Sequence, residues 1–415
     1  MATMCQESEV RCAICRSPIR LIPLVLIRPT NPQEVAEEGG IDGFKYSSSA
    51  TIVDGVYDPR IVTRRSIEWI RTTRIVGYSS VLGHYISSEG LYIGDTFGNW
   101  TDGDNNIPHV DRNPPCYRTT GRSVTKRVCY PFHSSCYHLF LKCATGSFTG
   151  EIDPKPLYEA FSLAVSAWHP VDLNLPYRNN GLDSIYDPDI SRFWTKLGAE
   201  QLVCDPLSSA EVKVYLKNVL QQAKFRRVLP NDPEIRISKL REFKHGITRL
   251  YRRHGGYLGL GPRPSNDVFS NLPYEVILNI SEHLTLREAW SLIRASPWLS
   301  QHMRHSVEFW DAAIARHLPW FFEIHDLIKA GHACLQEVDL YAVIVWALEV
   351  SWGGVKRSGA GQAPRSLWER PHAILSNRRR IWHVCEKIHR LYLRRSRSSI
   401  ITKGTRLSSP GPSWN

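Results

Sequence analysis

The spacing of hydrophobic positions changes near residue 150. Before that point the chain is rich in Gly, Ser, Thr, Asn and Tyr, and its apolar residues form short β-type runs at 72–82 and 90–94. Just ahead of the first run, Ile67, Trp69 and Ile70 predict a short helix. The first part of the chain is therefore expected to combine strands with a little helix.

Beyond residue 150 the pattern favours helices with a period of 3.6 residues. A helix is predicted over 155–168 from the positions Leu157, Phe161, Leu163, Ala164 and Trp168. A second is predicted over 209–225, with Ser208 or Ser209 as cap and Glu211 in the first turn. Its apolar positions are Val212, Val214, Leu216, Val219 and Leu220.

Two interruptions divide the helical part of the chain. Residues 252–266 contain four Gly and two Pro, which together sustain neither a helix nor a central strand, so we expect a linker there. A loop containing Gly and Ser, 353–366, separates two later helical segments. The last fifteen residues or so are polar and are predicted to be disordered.

Residues 268–310 predict three short helices in close succession. Asn271 is the expected cap of the first, and Pro273 is tolerated in its first turn. Thr285 and Glu288 form a capping box that opens the second helix. Ser296 and Pro297 restart the chain as the cap and first residue of a third. Val276, Ile277, Ile280 and Leu284 fall on one apolar face of the first helix, and Ala289, Leu292, Ile293 and Ser296 follow on the inner side of the second.

This segment resembles the F-box, in which a Leu-Pro-x-Glu start is followed by aliphatic positions on two helices. The matching residues are Leu272, Pro273, Glu275, Val276, Ile277, Ile280, Leu284, Leu292, Ala295 and Ser296, with Trp298 near the aromatic that usually ends the motif. The resemblance implies that this surface packs on a Skp-type adaptor, which links it to a cullin scaffold. Apolar anchors at i, i+3 or i+4 spacing suit such a contact, and Leu272, Pro273, Ile277 and Leu292 are the candidate anchors, with Ile293 beside them. An ordinary helix-turn-helix core is the alternative.

The order of features is also similar to that of a group of fungal F-box proteins. They carry an N-terminal Cys-x-x-Cys, a central His-x-x-Cys and then the F-box. A turn such as LPWFF at 318–322 and a basic helix such as RRRIW at 378–382 follow in that group.

Cysteine and histidine residues form two short-spaced groups. Cys12 and Cys15 form the first, and His133 and Cys136 lie within the second, with Cys129, His138 and Cys143 close by. Thiolate and imidazole groups suit zinc, so Cys12, Cys15, His133 and Cys136 are predicted to close one structural site. Buried free cysteines and a core histidine are the competing interpretation. A RING domain is disfavoured, since no second Cys-x-x-Cys follows Cys136.

The net charge of +12 is concentrated in two stretches. Residues 376–415 hold ten Lys or Arg against one acid, and residues 224–253 hold ten against three. Such clusters suit acidic partners and phosphate backbones, and equally solvated helix faces. An apolar stripe in the tail has helical spacing, at Ile381, Val384, Ile388 and Leu391. It favours a packed helix with a solvated basic face over a nucleic-acid-binding module.

Catalytic motifs are weak. Cys136 beside His133 or His138 has no implied geometry, and the Gly-rich stretch 256–261 lacks the Lys-Ser or Lys-Thr of a phosphate-binding loop. The run 102–106 begins like a calcium loop, but Asn113 stands where a Glu is needed. We therefore expect a non-enzyme.

Composition fits a globular protein, with 42% hydrophobic and 22% charged residues. No secretory signal and no membrane-spanning run are evident, so a soluble protein of the cytoplasm or nucleus is expected. The predicted class is α+β, with an N-terminal domain (10–235) that zinc stabilises, a basic segment and linker (236–267), the F-box (268–312), a helical region (313–398) and a disordered tail (399–415). The expected function is substrate receptor of a Skp-cullin-F-box ubiquitin ligase. A zinc-containing nucleic-acid-binding protein and a scaffold outside ubiquitylation are the alternatives. The target protein and the region that recognises it are not predicted.

Overall fold

The computed structural model describes residues 11–17, 19, 61–93, 96–100, 128–165, 173–177, 200–222, 267–303, 306–330, 338–351 and 369–405. The chain divides into two compact units, unit 1 (Met1–Ser208 together with Val350–Asn415) and unit 2 (Ser209–Glu349). The described residues form one small sheet and a larger number of helices, so the predicted mixture of strands and helices is present and helices predominate. No helix in the described part of the chain is long and apolar enough to cross a membrane.

The sheet of unit 1 is built around one long strand. Its strands are β1 (Thr72–Ser79), β2 (Gly83–Ile86), β3 (Gly90–Ile93), β4 (Thr96–Trp100) and β5 (Tyr130–His133). All the pairings are antiparallel: β1 pairs with β2, β3 and β5, and β3 pairs with β4. The register places Thr73 of β1 opposite His133 of β5, so the end of β5 is fixed against the centre of the sheet.

Twelve α-helices are present among the described residues. In chain order they are α1 (Arg64–Ile67), α2 (Ser134–Thr145), α3 (Pro154–Ala164), α4 (Glu200–Val203), α5 (Ser209–Leu220), α6 (Tyr274–Glu282), α7 (Leu286–Ala295), α8 (Pro297–Met303), α9 (Val307–His317), α10 (Phe322–Lys329), α11 (Leu340–Val350) and α12 (Glu369–Thr405). Two 3-10 turns, Glu68–Ile70 and Val268–Asn271, follow α1 and precede α6.

Helices α2 and α3 begin and end where local chemistry dictates. The backbone of Gly146 adopts a φ of 78°, the left-handed conformation that commonly ends a helix, just after α2. Asp153 caps α3 by accepting a hydrogen bond from the Lys155 amide, and Pro154 occupies the first helical position. The helix predicted over 155–168 therefore ends at Ala164, because Val165 is extended and bridges to Leu173. Trp168 lies outside the described residues.

The core of unit 1 lies between the sheet and the helices α2, α3, α4 and α12. Phe132 of β5 stacks on both Tyr137 and Phe161. The stripe predicted in the tail faces inward on α12, where Ile381, Val384 and Ile388 are buried. Helix α12 is thus a core element of the same unit as β1.

Helix α12 corrects two expectations for the tail. It continues to Thr405, so residues 399–405, predicted to be disordered, are helical. No Pro or Gly interrupts the chain between Pro371 and Gly404, which explains this length. The basic run is also not simply a solvated face, because Arg378 and Arg380 are both buried.

Unit 2 contains the seven helices α5 to α11. Trp310 and Ile314 of α9, Phe321 before α10 and Val343 and Ile344 of α11 are buried. The turn of sequence LPWFF that precedes α10 contributes buried aromatic side chains to this core. The helix predicted over 209–225 is present as α5 and ends at Leu220.

The start of the three-helix segment differs in detail from the prediction. Asn271 does not cap α6; it ends a 3-10 turn that is capped by Asp267. Leu272 is extended, as expected for a residue before proline, and Pro273 is the N-cap of α6. The capping box of Thr285 and Glu288 is confirmed at the start of α7, and α8 begins at Pro297 as predicted.

The two units do not follow the linear order of segments inferred from the sequence. Helix α5, placed by sequence in the N-terminal domain, belongs to unit 2, and α12, placed in a C-terminal helical region, belongs to unit 1. Burial of the inner stripe of α12 against α2, α3 and α4 accounts for its place in unit 1. The predicted linker 252–266 and the basic stretch 224–253 lie outside the described residues.

Candidate functional site

The first Cys-x-x-Cys pair lies on a tight reversal of the chain. The Arg16 amide donates to the carbonyl of Cys12 at 2.8 Å, and the Cys12 amide donates to the carbonyl of Ser17 at 2.9 Å. Arg16 has a φ of 63°, the left-handed conformation that lets a non-glycine residue close such a turn. Both thiols are thereby held within one short loop, which we call the knuckle (residues 11–17).

The knuckle is docked against the end of β5. The Ala13 amide donates to the carbonyl of Pro131 at 2.7 Å. Two residues further on, His133 ends β5 and also stands at the N-cap of α2, so Cys136 follows in the first turn of that helix. The junction of β5 and α2 therefore presents His133 and Cys136 to the two thiols of the knuckle.

These four side chains form one buried cluster. The candidate ligand atoms of Cys12, Cys15, His133 and Cys136 all lie within 4.8 Å of one another, and all four residues are buried. Nδ1 of His133 is 3.3 Å from the sulfur of Cys15 and 3.9 Å from the sulfur of Cys136. A tetrahedral zinc site with ordinary bond lengths places sulfur and nitrogen about 3.6 Å apart. The cluster can therefore hold a metal ion with little rearrangement.

Backbone amides support negative charge on the sulfurs. The amides of Cys15 and His133 each approach the sulfur of Cys12 at 3.4 Å. The Ser17 amide approaches the sulfur of Cys15, also at 3.4 Å. Donors aimed at sulfur stabilise thiolates, which are the form that binds metal.

The protonation states of the cluster are strongly coupled. Burial by itself raises the pKa of the Cys15 thiol, but hydrogen bonds from Cys12 and Cys136 and the charge of His133 hold it well below its ordinary value. Burial lowers the pKa of His133, whereas the sulfurs of Cys12 and Cys15 outweigh it and raise the pKa to about 10. Burial and the neighbouring thiols raise the pKa of Cys136. A metal ion that binds here replaces the protons on His133 and Cys136.

Three further residues fix the centre in place, and the sequence analysis assigned them no such role. The indole of Trp69 packs edge-on against the His133 ring, with centroids 4.9 Å apart. The hydroxyl of Tyr177 donates to the carbonyl of Ala13 at 2.8 Å, and Nη1 of Arg380 donates to the carbonyl of Cys15 at 2.7 Å. All three lie far from the Cys motifs in sequence, so local spacing gives no signal for them. Trp69 was noted only as part of a predicted short helix, and Arg380 only as part of the basic run 378–382.

The other cysteines and histidines of the second group lie outside the cluster. The thiol of Cys129 is buried and lies 3.8 Å from the Tyr85 hydroxyl. Nε2 of His138 lies 3.6 Å from Oε1 of Glu89, and Cys143 is only half-buried. Cys136 and His133, considered above as a nucleophile and its base, are two members of the buried cluster, and neither side chain is exposed. The Gly-rich stretch 256–261 and the run 102–106 lie outside the described residues.

The residues predicted to contact an adaptor fall into three groups by burial. Pro273, Glu275, Val276 and Ile280 are exposed. Leu272, Leu284, Leu292 and Trp298 are half-buried. Ile277, Ile293 and Ser296 are buried, with exposed fractions of 1%, 3% and 2%. The members of this last group pack inside unit 2, so Ile277 is a core residue and not an available anchor.

The exposed group leaves an apolar face on unit 2. Val276 and Ile280 are one turn apart on α6 and are 40% and 37% exposed. Pro273, the N-cap of the same helix, is also exposed. We call these three residues the α6 face. Clusters of exposed apolar side chains commonly mark contact sites.

Comparison with known proteins gives no match. No family model matches the chain, and neither the curated proteins nor the solved structures contain a significant match.

Proposed function

We propose that this chain is a non-catalytic subunit of a ubiquitin ligase, in which the segment 268–312 acts as an F-box and binds a Skp-type adaptor. The observation that carries the proposal is the exposed α6 face, whose residues Pro273, Val276 and Ile280 are among those that resemble the F-box pattern. Apolar groups at i and i+4 on an exposed helix suit docking into an apolar groove. Through the adaptor the chain would join a cullin scaffold and present a target for ubiquitylation.

The first test is binding of the full chain to a Skp-type adaptor. We expect a stoichiometric complex with the wild type. A Val276→Glu, Ile280→Glu variant is expected to bind at least about tenfold more weakly, because charges replace central apolar contacts. Both positions are exposed, so the variant retains its fold.

The control is Val214→Glu on α5, because Val214 is 61% exposed on another helix of the same unit. It is expected to bind the adaptor as the wild type does. A folded wild-type chain that binds no adaptor contradicts the F-box proposal. Wild-type binding with an unaffected double variant instead places the contact elsewhere.

We further propose that the Cys/His cluster holds one zinc ion in a structural role. Three thiols and one imidazole fill all four positions of a tetrahedral site, which is typical of structural zinc and leaves no position for a substrate. The complete burial of the four residues supports the same role. Quantifying metals in the purified full chain tests this, with about one zinc per chain expected. A folded chain that contains no zinc, or a different metal, contradicts it.

Nucleic-acid binding receives less support. Nε of Arg378 donates to the carbonyl of Pro206 at 2.6 Å, and Arg380 bonds to Cys15. These two arginines of the basic run 378–382 are therefore engaged inside unit 1 and not presented to phosphate groups.

A further inference from the structure

Arg380 lies at the contact between α12 and the knuckle and is only 2% exposed. Besides the bond from its Nη1 to the carbonyl of Cys15, its Nε and Nη2 donate to Oδ1 of Asn377 at 3.3 and 2.8 Å. Asn377 is itself fixed by a bond from Nδ2 to the carbonyl of Cys204 at 2.8 Å. The guanidinium is thus held in one orientation, directed at the residue that provides a metal-ligating thiol.

All of these acceptors are neutral. Among the described residues, the hydrogen bonds of Arg380 go to an amide and a carbonyl, and no ion pair with a carboxylate is formed. A buried guanidinium without a counter-charge is strongly unfavourable, because the loss of hydration is not offset by an ion pair. A negative charge close to this position would offset that cost.

The metal centre provides that charge. Three thiolates exceed the charge of one Zn²⁺ by one negative charge, and the imidazole adds none. We propose that Arg380 is the counter-charge and positioning residue of this centre: it neutralises the excess charge and holds the Cys15 carbonyl so that the knuckle keeps its ligating shape. The inference rests on the proposed zinc site and adds a second function to α12, which is to regulate how firmly the metal is held.

Metal binding at the cluster and packing of α12 on the knuckle therefore stabilise each other. Removing the metal leaves the guanidinium buried without compensation, which favours release of α12 from the knuckle. Removing the guanidinium leaves the centre with an uncompensated buried charge, which favours release of the metal. Such reciprocity follows for any two events that stabilise one another.

The direct experiment compares Arg380→Met, Arg380→Lys and Arg378→Met in the full chain. Arg378 is also buried on α12 but bonds to Pro206, so its variant controls for the loss of a buried arginine from the same helix. Zinc transfer to a chromogenic chelator is timed for each. The absorption bands of the Co²⁺-substituted proteins report the ligand geometry independently of overall stability.

We expect Arg380→Met to release zinc roughly 10- to 100-fold faster, as supporting residues of metal sites commonly do. Arg380→Lys should recover part of the loss because it keeps the charge, and Arg378→Met should resemble the wild type. A folded Arg380→Met variant with wild-type release and an unchanged Co²⁺ spectrum overturns the proposal.

Wild-type protein provides the test if Arg380→Met does not fold. Hydrogen exchange is followed before and after chelation, with α6 to α8 of unit 2 as the internal reference. The proposal requires faster exchange in residues 374–388 once zinc is removed. Zinc removal with unchanged exchange in that segment overturns the coupling while the zinc site stands. A chain that contains no zinc at the outset overturns the zinc site itself, which its metal content reveals before exchange begins.

Discussion

Nη1 of Arg380 donates a hydrogen bond over 2.7 Å to the carbonyl oxygen of Cys15, a residue 365 positions earlier in the chain. Near the same point, Nδ1 of His133 lies 3.3 Å from the Cys15 sulfur, across 118 positions. Three remote parts of the chain therefore meet at the Cys15 residue. These contacts join the knuckle, the end of β5 and α12 within unit 1. We therefore expect the metal content of the protein and the stability of unit 1 to change together.

Replacing a ligand should abolish metal binding and destabilise unit 1. Cys12→Ser and Cys136→Ser are each expected to lower zinc content from about one per chain to near zero, because a hydroxyl is a poor zinc ligand beside thiolates. Metal analysis and thermal unfolding of the full chain measure the two effects. Cys129→Ser is the matched control, since Cys129 is buried nearby and lies outside the cluster. Equal zinc loss in the control would contradict the assigned ligand set.

A methyl group at position 77 should destabilise the sheet. A Cβ on Gly77 would lie 2.5 Å from the sulfur of Cys129 and 3.1 Å from the hydroxyl of Tyr85. Overpacking of this kind typically costs about 1–3 kcal/mol, so Gly77→Ala should unfold earlier in denaturant.

Adding Cys129→Ala to Gly77→Ala should recover part of that loss, because it removes the nearest clashing atom. The comparison includes Cys129→Ala alone. Equal losses with and without the sulfur would show that the clash with Cys129 is not the cause.

The two faces of α6 should respond differently to truncation. Ile277 is 1% exposed, so Ile277→Ala is expected to destabilise unit 2 by about 2–4 kcal/mol. Val276 is 40% exposed, so Val276→Ala should change the free energy of unfolding by less than about 0.5 kcal/mol. The free energy of unfolding of each variant is measured in denaturant, with hydrogen exchange in residues 274–303 as the probe of unit 2. A larger loss at Val276 would reverse our assignment of the inner and outer faces.

Asp267 should stabilise unit 2 only while it is ionised. Its carboxylate accepts hydrogen bonds from the Ser296 hydroxyl at 2.6 Å, the Trp298 amide at 3.0 Å and the Phe269 amide at 3.1 Å. These bonds, led by that from Ser296, lower the pKa of Asp267 from its ordinary value of 3.8. A lowered pKa means that the stabilisation is complete above pH 3.8 and is lost as the pH falls through the folded-state value.

Asp267→Asn should therefore raise the rate of hydrogen exchange in residues 268–303 at neutral pH. The difference from the wild type should shrink in acid, where both side chains are uncharged. Asp326→Asn on α10 is a suitable comparison, because the Asp326 side chain is 61% exposed and pairs only across the surface with Lys213. A difference that persists at low pH would show that the charge of Asp267 is not what stabilises the segment.

Local chemistry in the sequence determined several elements and both halves of the Cys/His cluster. The Thr285 and Glu288 box and the restart at Pro297 depend on neighbours a few residues away, and both were predicted correctly. The β-type run predicted over 72–82 is present as a strand that ends at Ser79. The two short-spaced pairs, Cys12 with Cys15 and His133 with Cys136, were also predicted as one set. A spacing of two or three residues allows two side chains to bind the same metal ion, because the chain between them is too short to separate them.

Only the tertiary structure decided which sides of these elements are buried. Val276, Ile277 and Ile280 are equally apolar in sequence, and packing alone selects Ile277 for the core. Arginine normally remains in water, so the sequence favoured a solvated basic face on α12. The carbonyl of Cys15 and the side chain of Asn377 instead satisfy Arg380 within the protein. Periodicity records that a residue is apolar or charged, whereas burial depends on partners that arrive from distant parts of the chain.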